Sequence, residues 1–183
     1  MNVFAKKAAY SMLSFLFLLP LGCRSQKVVQ REVPDSKLIN AAREIMIAAG
    51  TCALITLDEN NRTTVRTMDP FPPEAGLTVW FGTNPKSRKV GQIKKNPNVT
   101  LYYSDSDATG YVVLHGTAQL VNDEEEKRKR WKAEWEAFYS NRAEEYLLIK
   151  VIPVRMEIVS ESRGILGDPA TWKPPVVVFD PEK

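Results

Sequence analysis

The chain has 183 residues, of which 44% are hydrophobic and 26% are charged, a balance that suits one compact domain with short extensions. Its formal net charge is +3, and two of the positive charges, Lys6 and Lys7, lie in a leader that we expect to be removed. Subtracting these two from +3 leaves +1, which does not argue for a nucleic-acid partner. A single histidine without a spaced set of cysteines or carboxylates predicts no metal site.

The N-terminal segment has the parts of an export signal. The two lysines precede an apolar run, Met12 to Leu19, which is followed by Pro20-Leu21-Gly22-Cys23. A cysteine directly after glycine resembles a bacterial lipoprotein signal, in which the thiol is lipidated and becomes the new N-terminus. The alternatives are an ordinary signal peptide and a membrane anchor, although the apolar run is short for a full span. We therefore expect a signal peptide at residues 1–22, lipidation of Cys23, a tether at residues 23–34, and export to a lipid-anchored position in a bacterial cell envelope.

The main domain, predicted at residues 35–160, begins with a helix and a hairpin. Asp35 or Ser36 can cap the helix, whose apolar residues recur at intervals of three and four up to Gly50. A polar turn then separates two strands, Cys52 to Leu57 and Thr63 to Met68. Because Cys52 has mostly apolar neighbours, we interpret it as a small buried side chain rather than a catalytic one.

The stretch from Trp80 to Tyr103 carries the chemistry. Its first part continues a half-buried strand in which every second residue is apolar: Leu77, Val79 and Phe81. A short helix follows, and it begins with Ser87, Arg88 and Lys89. Unpaired amides at a helix start already favour an anion, so these side chains are candidates for holding a phosphate. The alternative is a solvated basic helix, since no glycine-rich phosphate loop is present.

Two strands, one helix and a tail complete the chain. Tyr111 to Val121 is a predicted strand that carries His115, which we interpret as a core or sheet-surface residue. Asp123 to Ser140 is predicted to be one helix with an aromatic stripe that is more typical of a docking face than of a cofactor site: Trp131, Trp135 and Phe138. Leu147 to Val159 is the next strand, and residues 161–183 form an extension that wraps the domain or adds an edge strand.

The stretch around Ser87-Arg88-Lys89 resembles the pyridoxamine 5′-phosphate oxidase family of FMN-binding split β-barrels, in its general stress protein-like branch. The shared pattern is strand, Thr, Ser-Arg-Lys, an Ile-containing helix, Asn-Pro and a second strand, and the similarity covers roughly Ser36 to Val159. The resemblance implies a mainly β fold with flanking helices, an α+β split barrel. It also implies a homodimer with FMN in the crevice between the subunits.

The family pattern also implies roles for individual residues. Those carried over as phosphate ligands are Arg66, Ser87, Arg88 and Lys89. Those carried over as neighbours of the flavin ring and ribityl chain are Thr67, Met68, Phe81 and Thr83. For Arg66, a solvent-facing position on its strand is the alternative interpretation. Trp172 is a further candidate, since it could cover a flavin face from the partner subunit.

The implied function is FMN binding by a flavin-dependent oxidoreductase of unknown substrate, and the sequence names no catalytic residue. The usual Gln near Tyr111, the Trp near Val159 and the terminal Arg-Leu-His type motif of pyridoxamine 5′-phosphate oxidases are missing, so we do not expect that activity. The alternatives are a non-catalytic flavin or haem carrier, a stress-related binding lipoprotein of the cell envelope, and a barrel that has lost its cofactor.

Overall fold

The computed structural model describes residues 35–180. The predicted signal peptide, Cys23 and the tether up to residue 34 lie outside these residues. Within them the strands are β1 (Cys52–Leu57), β2 (Thr63–Met68), β3 (Val79–Thr83), β4 (Asn98–Ser104), β5 (Gly110–Val121), β6 (Leu147–Ser160) and β7 (Val176–Val178). The helices are α1 (Asp35–Ala49), α2 (Arg88–Lys95), α3 (Glu124–Lys129) and α4 (Arg142–Glu145), with a 3-10 helix at Ala133–Ala137. No helix among the described residues is long and apolar enough to cross a membrane.

One antiparallel sheet organises the domain. Its strand order is β2-β1-β4-β5-β6-β3, and β7 pairs with β6. The chain beyond β2 returns to β3 through an isolated bridge between Pro70 and Phe81, and the Phe71 amide donates to the Trp80 carbonyl at 2.9 Å. The two end strands of the sheet therefore meet through a bridge rather than a ladder. The predicted mainly β fold with flanking helices is confirmed.

The core lies between the inner face of the sheet and α1. Alternate strand residues point inward, and three of them, Leu54, Leu101 and Leu114, are fully buried. Helix α1 adds a stripe of buried residues at helical spacing: Leu38, Ala41, Ala42, Ile45 and Met46. It ends at Gly50, whose φ of 66° suits a residue without a Cβ. Burial of each large apolar side chain contributes about 1.5–3 kcal/mol, so this face fixes the helix on the sheet.

Strand β3 begins two residues later than its apolar alternation suggests. Leu77 lies in a turn with φ of 61°, and its amide donates to the Glu74 carbonyl at 2.9 Å. Its side chain is nevertheless fully buried. The alternation therefore reports correctly that Leu77 is an inward-facing residue, but the turn gives it a left-handed backbone that a β-strand does not have.

The prediction of one helix from Asp123 to Ser140 is wrong. Asp123 caps α3, since its carboxylate accepts from the Glu126 amide at 2.9 Å, but the helix ends after six residues. The Tyr146 hydroxyl donates to the Arg130 carbonyl, and Lys132 has extended angles of −106° and 129°. The chain turns there because this tertiary contact and the packing of the following aromatic residues outweigh local helix propensity.

The break brings together the aromatic residues of this segment with those of the β2–β3 region. Trp131 contacts Tyr146 edge-on, with ring centroids 5.2 Å apart. The Arg130 guanidinium lies 3.7 Å from the centre of the Trp80 ring and pairs with Glu74 at 2.7 Å. These contacts attach the whole segment to the sheet, as the predicted docking role of the aromatic stripe requires. Phe138 is the exception, because 75% of it is exposed.

Candidate functional site

Helix α2 places Ser87, Arg88 and Lys89 at its first turn. Ser87 is the residue before the helix, and its side chain makes no capping bond to the backbone. Val90 and Ile93 are buried and anchor the helix on the sheet. The side chains of the first turn are half-buried or exposed. The first turn carries no acidic residue, so its backbone amides and its cations both favour a negatively charged ligand.

Three of the predicted site residues form one hydrogen-bonded chain. The Thr83 and Ser87 hydroxyl oxygens are 3.1 Å apart, and the Lys89 ammonium donates to the Thr83 hydroxyl at 3.1 Å. Thr83 is only 3% exposed, at the end of β3. This chain holds Lys89 against β3 instead of extended into solvent.

Arg66 is positioned by three neutral partners, one of which is the Leu54 carbonyl, 3.4 Å from the guanidinium. Its guanidinium donates to the Thr56 hydroxyl at 2.6 Å and to the Gln92 side-chain oxygen at 2.9 Å. Thr56 also donates to Gln92, at 2.6 Å, so strand β1 and helix α2 both hold the arginine. Its side chain is therefore fixed towards α2, and the solvent-facing alternative does not describe it.

The electrostatics of the three cations favour an anionic ligand. Burial, and then the nearby positive charge of Arg66, hold the pKa of Lys89 below its ordinary value. Burial, and then Arg88, lower the pKa of Arg66 in the same way. Among residues 35–180, none of the three pairs with a carboxylate. Repelling cations without a counter-ion are an arrangement that an anionic ligand stabilises.

A cleft of about 400 Å³, the basic cleft, opens beside the hydrogen-bonded chain. One part of its lining comes from the ends of β2 and β3 and the start of α2, with Thr67, Met68, Thr83, Ser87 and Lys89. Asp69 also lines it, and its carboxylate pairs with Lys132. A further part of the lining is aromatic, and we call it the aromatic wall: Trp135, Phe138 and Tyr139. The volume lies within the range of small-molecule sites.

Arg66, Arg88 and Phe81 do not line the basic cleft. Arg88 lines a second cleft of about 390 Å³ together with Gln92, Lys95 and two acidic residues, Asp58 and Glu59. The three cations therefore do not share one cleft, and an anion that contacts all of them would have to lie at the first turn of α2. The Phe81 side chain is fully buried in the main core, so a ligand can meet this residue only through its backbone.

Gly82 allows the aromatic wall to pack on β3. A Cβ atom at this position would lie 2.4 Å from the Trp135 ring and 2.6 Å from the Tyr146 ring. Lys132 holds the other side of Trp135, since its ammonium lies 5.2 Å from the ring centre and pairs with Asp69 at 2.5 Å. Any side chain at Gly82 would displace Trp135 from the cleft.

The sequence pattern did not assign the aromatic wall or Gln92 to the site. Its helical spacing predicts a docking stripe at Trp135 and Phe138, and it gives no role to Tyr139 or Gln92. The available signal was indirect: a glycine within a strand often marks a close approach, and here Gly82 faces a segment rich in aromatic residues.

The remaining titratable candidates lie elsewhere. His115 contacts the Thr100 hydroxyl at 3.0 Å through Nδ1 and lines a different cleft. Cys52 is 4% exposed, and burial raises the pKa of its thiol to about 12, so it is a poor nucleophile at neutral pH. Within the described part of the chain, no group of three His, Cys, Asp or Glu residues is placed to hold a metal ion.

Comparison with known proteins supports one family. A family profile described as Pyridoxamine 5'-phosphate oxidase like matches residues 37–160, more than half of the chain. General stress protein 26 of Bacillus subtilis (strain 168) is 30% identical over 77 residues, which cover 40% of this chain and 55% of that protein. The chain thus spans about half the length of this curated relative.

Solved structures share the fold. A protein related to general stress protein 26 from Clostridium acetobutylicum aligns with a TM-score of 0.66 at 19% identity, over 80% of this chain and 98% of that chain. A pyridoxamine 5'-phosphate oxidase-related, FMN binding protein from Nostoc punctiforme PCC 73102 gives 0.55 at 15% identity, over 79% and 94%. A heme binding protein from Mycobacterium smegmatis gives 0.58 at 13% identity, over 81% and 60%.

Proposed function

Because the chain belongs to the pyridoxamine 5'-phosphate oxidase-like family, we propose that it binds FMN at the basic cleft. The observation that carries this proposal is the convergence of three cations, without a carboxylate partner among the described residues, at the first turn of α2. The phosphate ligands are Arg66, Ser87, Arg88 and Lys89.

The residues fit a phosphate in chemistry as well as in charge. The arginines supply planar donors, Lys89 supplies a point charge, and Ser87 has a hydroxyl that the helix does not use. The structural neighbour named as FMN binding supports the same ligand class. The ribityl chain and ring then lie along Thr67, Met68 and Thr83, with Phe81 contributing through its backbone.

Oxidoreductase activity is the finer part of the proposal. Bound flavin supplies electron transfer, while this chain binds it, orients it and shields it from water. No nucleophile, acid or base is assigned, because the buried thiol of Cys52 and the distant His115 do not reach the basic cleft. Pyridoxamine 5′-phosphate oxidation itself is not proposed, since the family's substrate-binding motif is missing.

We also propose a homodimer with FMN at the subunit interface. The outer face of the sheet offers a surface for it, since Val65, Tyr102 and Val154 are 60%, 40% and 45% exposed there. A second subunit on this face would cover apolar side chains that a monomer leaves in water. The family pattern, in which FMN lies between subunits, supports this arrangement.

A haem or flavin carrier without catalysis is the second candidate. The heme binding protein among the structural neighbours supports it at the level of fold. Haem iron is commonly held by a histidine, and the only histidine of the chain lines a cleft other than the basic cleft. The three cations near the first turn of α2 therefore favour the phosphate of FMN.

The test is a titration with FMN of the chain from Arg24 to Lys183, followed by absorbance and calorimetry. We expect stoichiometric binding, and the double variant Arg88→Ala/Lys89→Ala should weaken it about a hundredfold or more, because two charged contacts of roughly 1.5–3 kcal/mol each are lost. The matched control is Lys86→Ala/Lys94→Ala, which removes two exposed lysines beside the same helix.

Two outcomes contradict the proposal at different levels. Equal FMN affinity of the wild type and the Arg88/Lys89 variant would remove the phosphate assignment. If the wild-type chain does not bind FMN but shows a Soret band with haem, haem replaces FMN as the proposed cofactor.

The location is a separate proposal, carried by the Gly22-Cys23 sequence outside the described residues. We propose export and lipid anchoring at Cys23. In bacterial cells the wild-type chain should sediment with membranes, and Cys23→Ser should move most of it to the soluble or secreted fraction. Equal membrane association of both chains would reject the lipid anchor.

A further inference from the structure

We propose that the aromatic wall binds the planar ring of the ligand and makes the site selective for phosphates that carry such a ring over acyclic phosphates. This inference rests on the proposed function, because the wall lines the same cleft as residues assigned to FMN. It assigns ligand contact to Trp135, Phe138 and Tyr139, which the sequence pattern places on a docking segment.

Phe138 is the first reason. It is 75% exposed at the edge of the cleft, whereas the other aromatic side chains of its segment are half-buried or buried. An exposed phenylalanine leaves apolar surface in water, and a ring stacked on it would remove that surface. Its position in the cleft makes a bound ligand the natural partner.

The second reason is that two residues of the wall, Trp135 and Tyr139, are held in place by other aromatic rings. The Trp135 ring contacts Phe71 at 5.5 Å and Tyr139 at 6.2 Å between centroids, both in edge-on geometry. Gly82 and Lys132 hold its two sides. These two rings lose little conformational entropy on binding, which is the property of a preformed site.

The third reason is the contrast between the polar and the aromatic residues that line the cleft. Lys89 and the hydroxyls of Thr83 and Ser87 form a polar side, and the wall forms an aromatic one. An acyclic phosphate satisfies only the polar side and leaves the wall in water. A phosphorylated planar heteroaromatic molecule satisfies both sides at once, so the cleft distinguishes the two classes.

The experiment measures FMN and inorganic phosphate binding to the same chain and its variants. Phe138→Ala should raise the Kd for FMN about tenfold, while the affinity for inorganic phosphate stays unchanged. Trp135→Phe should restore part of the flavin fluorescence, since an indole in contact with the ring quenches it. Leu166→Ala is the matched control, because it truncates an apolar residue that is 57% exposed and lines neither cleft.

The outcomes separate this inference from the proposed function. Wild-type FMN affinity in Phe138→Ala together with unchanged quenching in Trp135→Phe would overturn the ring contact but leave the phosphate site intact. Equal losses for FMN and phosphate would also overturn it, because the wall would then act through the fold. Absence of FMN binding in the wild type would overturn both proposals.

Discussion

Lys89 shows that the site costs stability in the protein without its ligand. Burial and the charge of Arg66 both disfavour the charged ammonium, which lowers its pKa in the folded chain. In the unfolded chain the same group keeps its ordinary pKa of 10.5. Protonated Lys89 therefore destabilises the fold at neutral pH, and a bound phosphate would reverse that effect by supplying the missing negative charge.

Lys89→Gln should accordingly stabilise the chain without ligand while weakening FMN binding about tenfold to a hundredfold. Because the folded pKa is lowered, the stability gain should be full at neutral pH, shrink as pH rises through the folded pKa, and vanish above about pH 10.5. Urea unfolding between pH 7 and 11, together with FMN titration at pH 7, measures both effects.

The control for this variant is Lys37→Gln, which removes an exposed lysine on α1. It should change neither the pH dependence nor FMN binding. A Lys89→Gln variant that is less stable than the wild type at pH 7 would mean that the bond to the Thr83 hydroxyl outweighs burial and repulsion at this residue.

At the scale of elements, the sequence pattern predicts the strands and the helix whose bounds depend on interactions between residues close in sequence. β1 and β2 have the bounds expected from their alternation and polar turn, and α2 begins where Ser87-Arg88-Lys89 follows Pro85. These elements carry most of the proposed phosphate site, so its candidate cations follow from the sequence pattern. The resemblance to a family was still needed to choose between a phosphate site and a solvated basic helix.

The segment after β5 could not be predicted in the same way. Its charge pairs suit a long helix, and one of them, Glu125 with Lys129, does form at 2.8 Å. The helix nevertheless stops at Arg130, whose carbonyl accepts from Tyr146 and whose guanidinium contacts Glu74 and Trp80 as well as the nearby Glu126. The aromatic wall depends on this turn, and therefore no helical periodicity could identify it.

At the scale of the whole molecule, the outer face of the sheet links the proposed dimer interface to the candidate site. The strand pairings place Ile55 beside Val65 and Ala53 beside both Thr67 and Tyr102. Thr67 thus shares this face with apolar residues and also lines the basic cleft. A partner subunit on this face would lie next to the ligand, so dimer formation and FMN binding should be coupled.

Val65→Glu tests that coupling, because it places a charge at a position that is 60% exposed in the single chain and so should not disturb the monomer fold. We expect light scattering to give a dimer for the wild type and a monomer for the variant, with FMN affinity lowered about tenfold or more, since a buried unpaired carboxylate opposes association. Ile47→Glu on α1, at 52% exposure, is the matched control and should remain dimeric. A Val65→Glu monomer that binds FMN with wild-type affinity would place the whole ligand site within one subunit, and a wild-type monomer would remove the proposed interface.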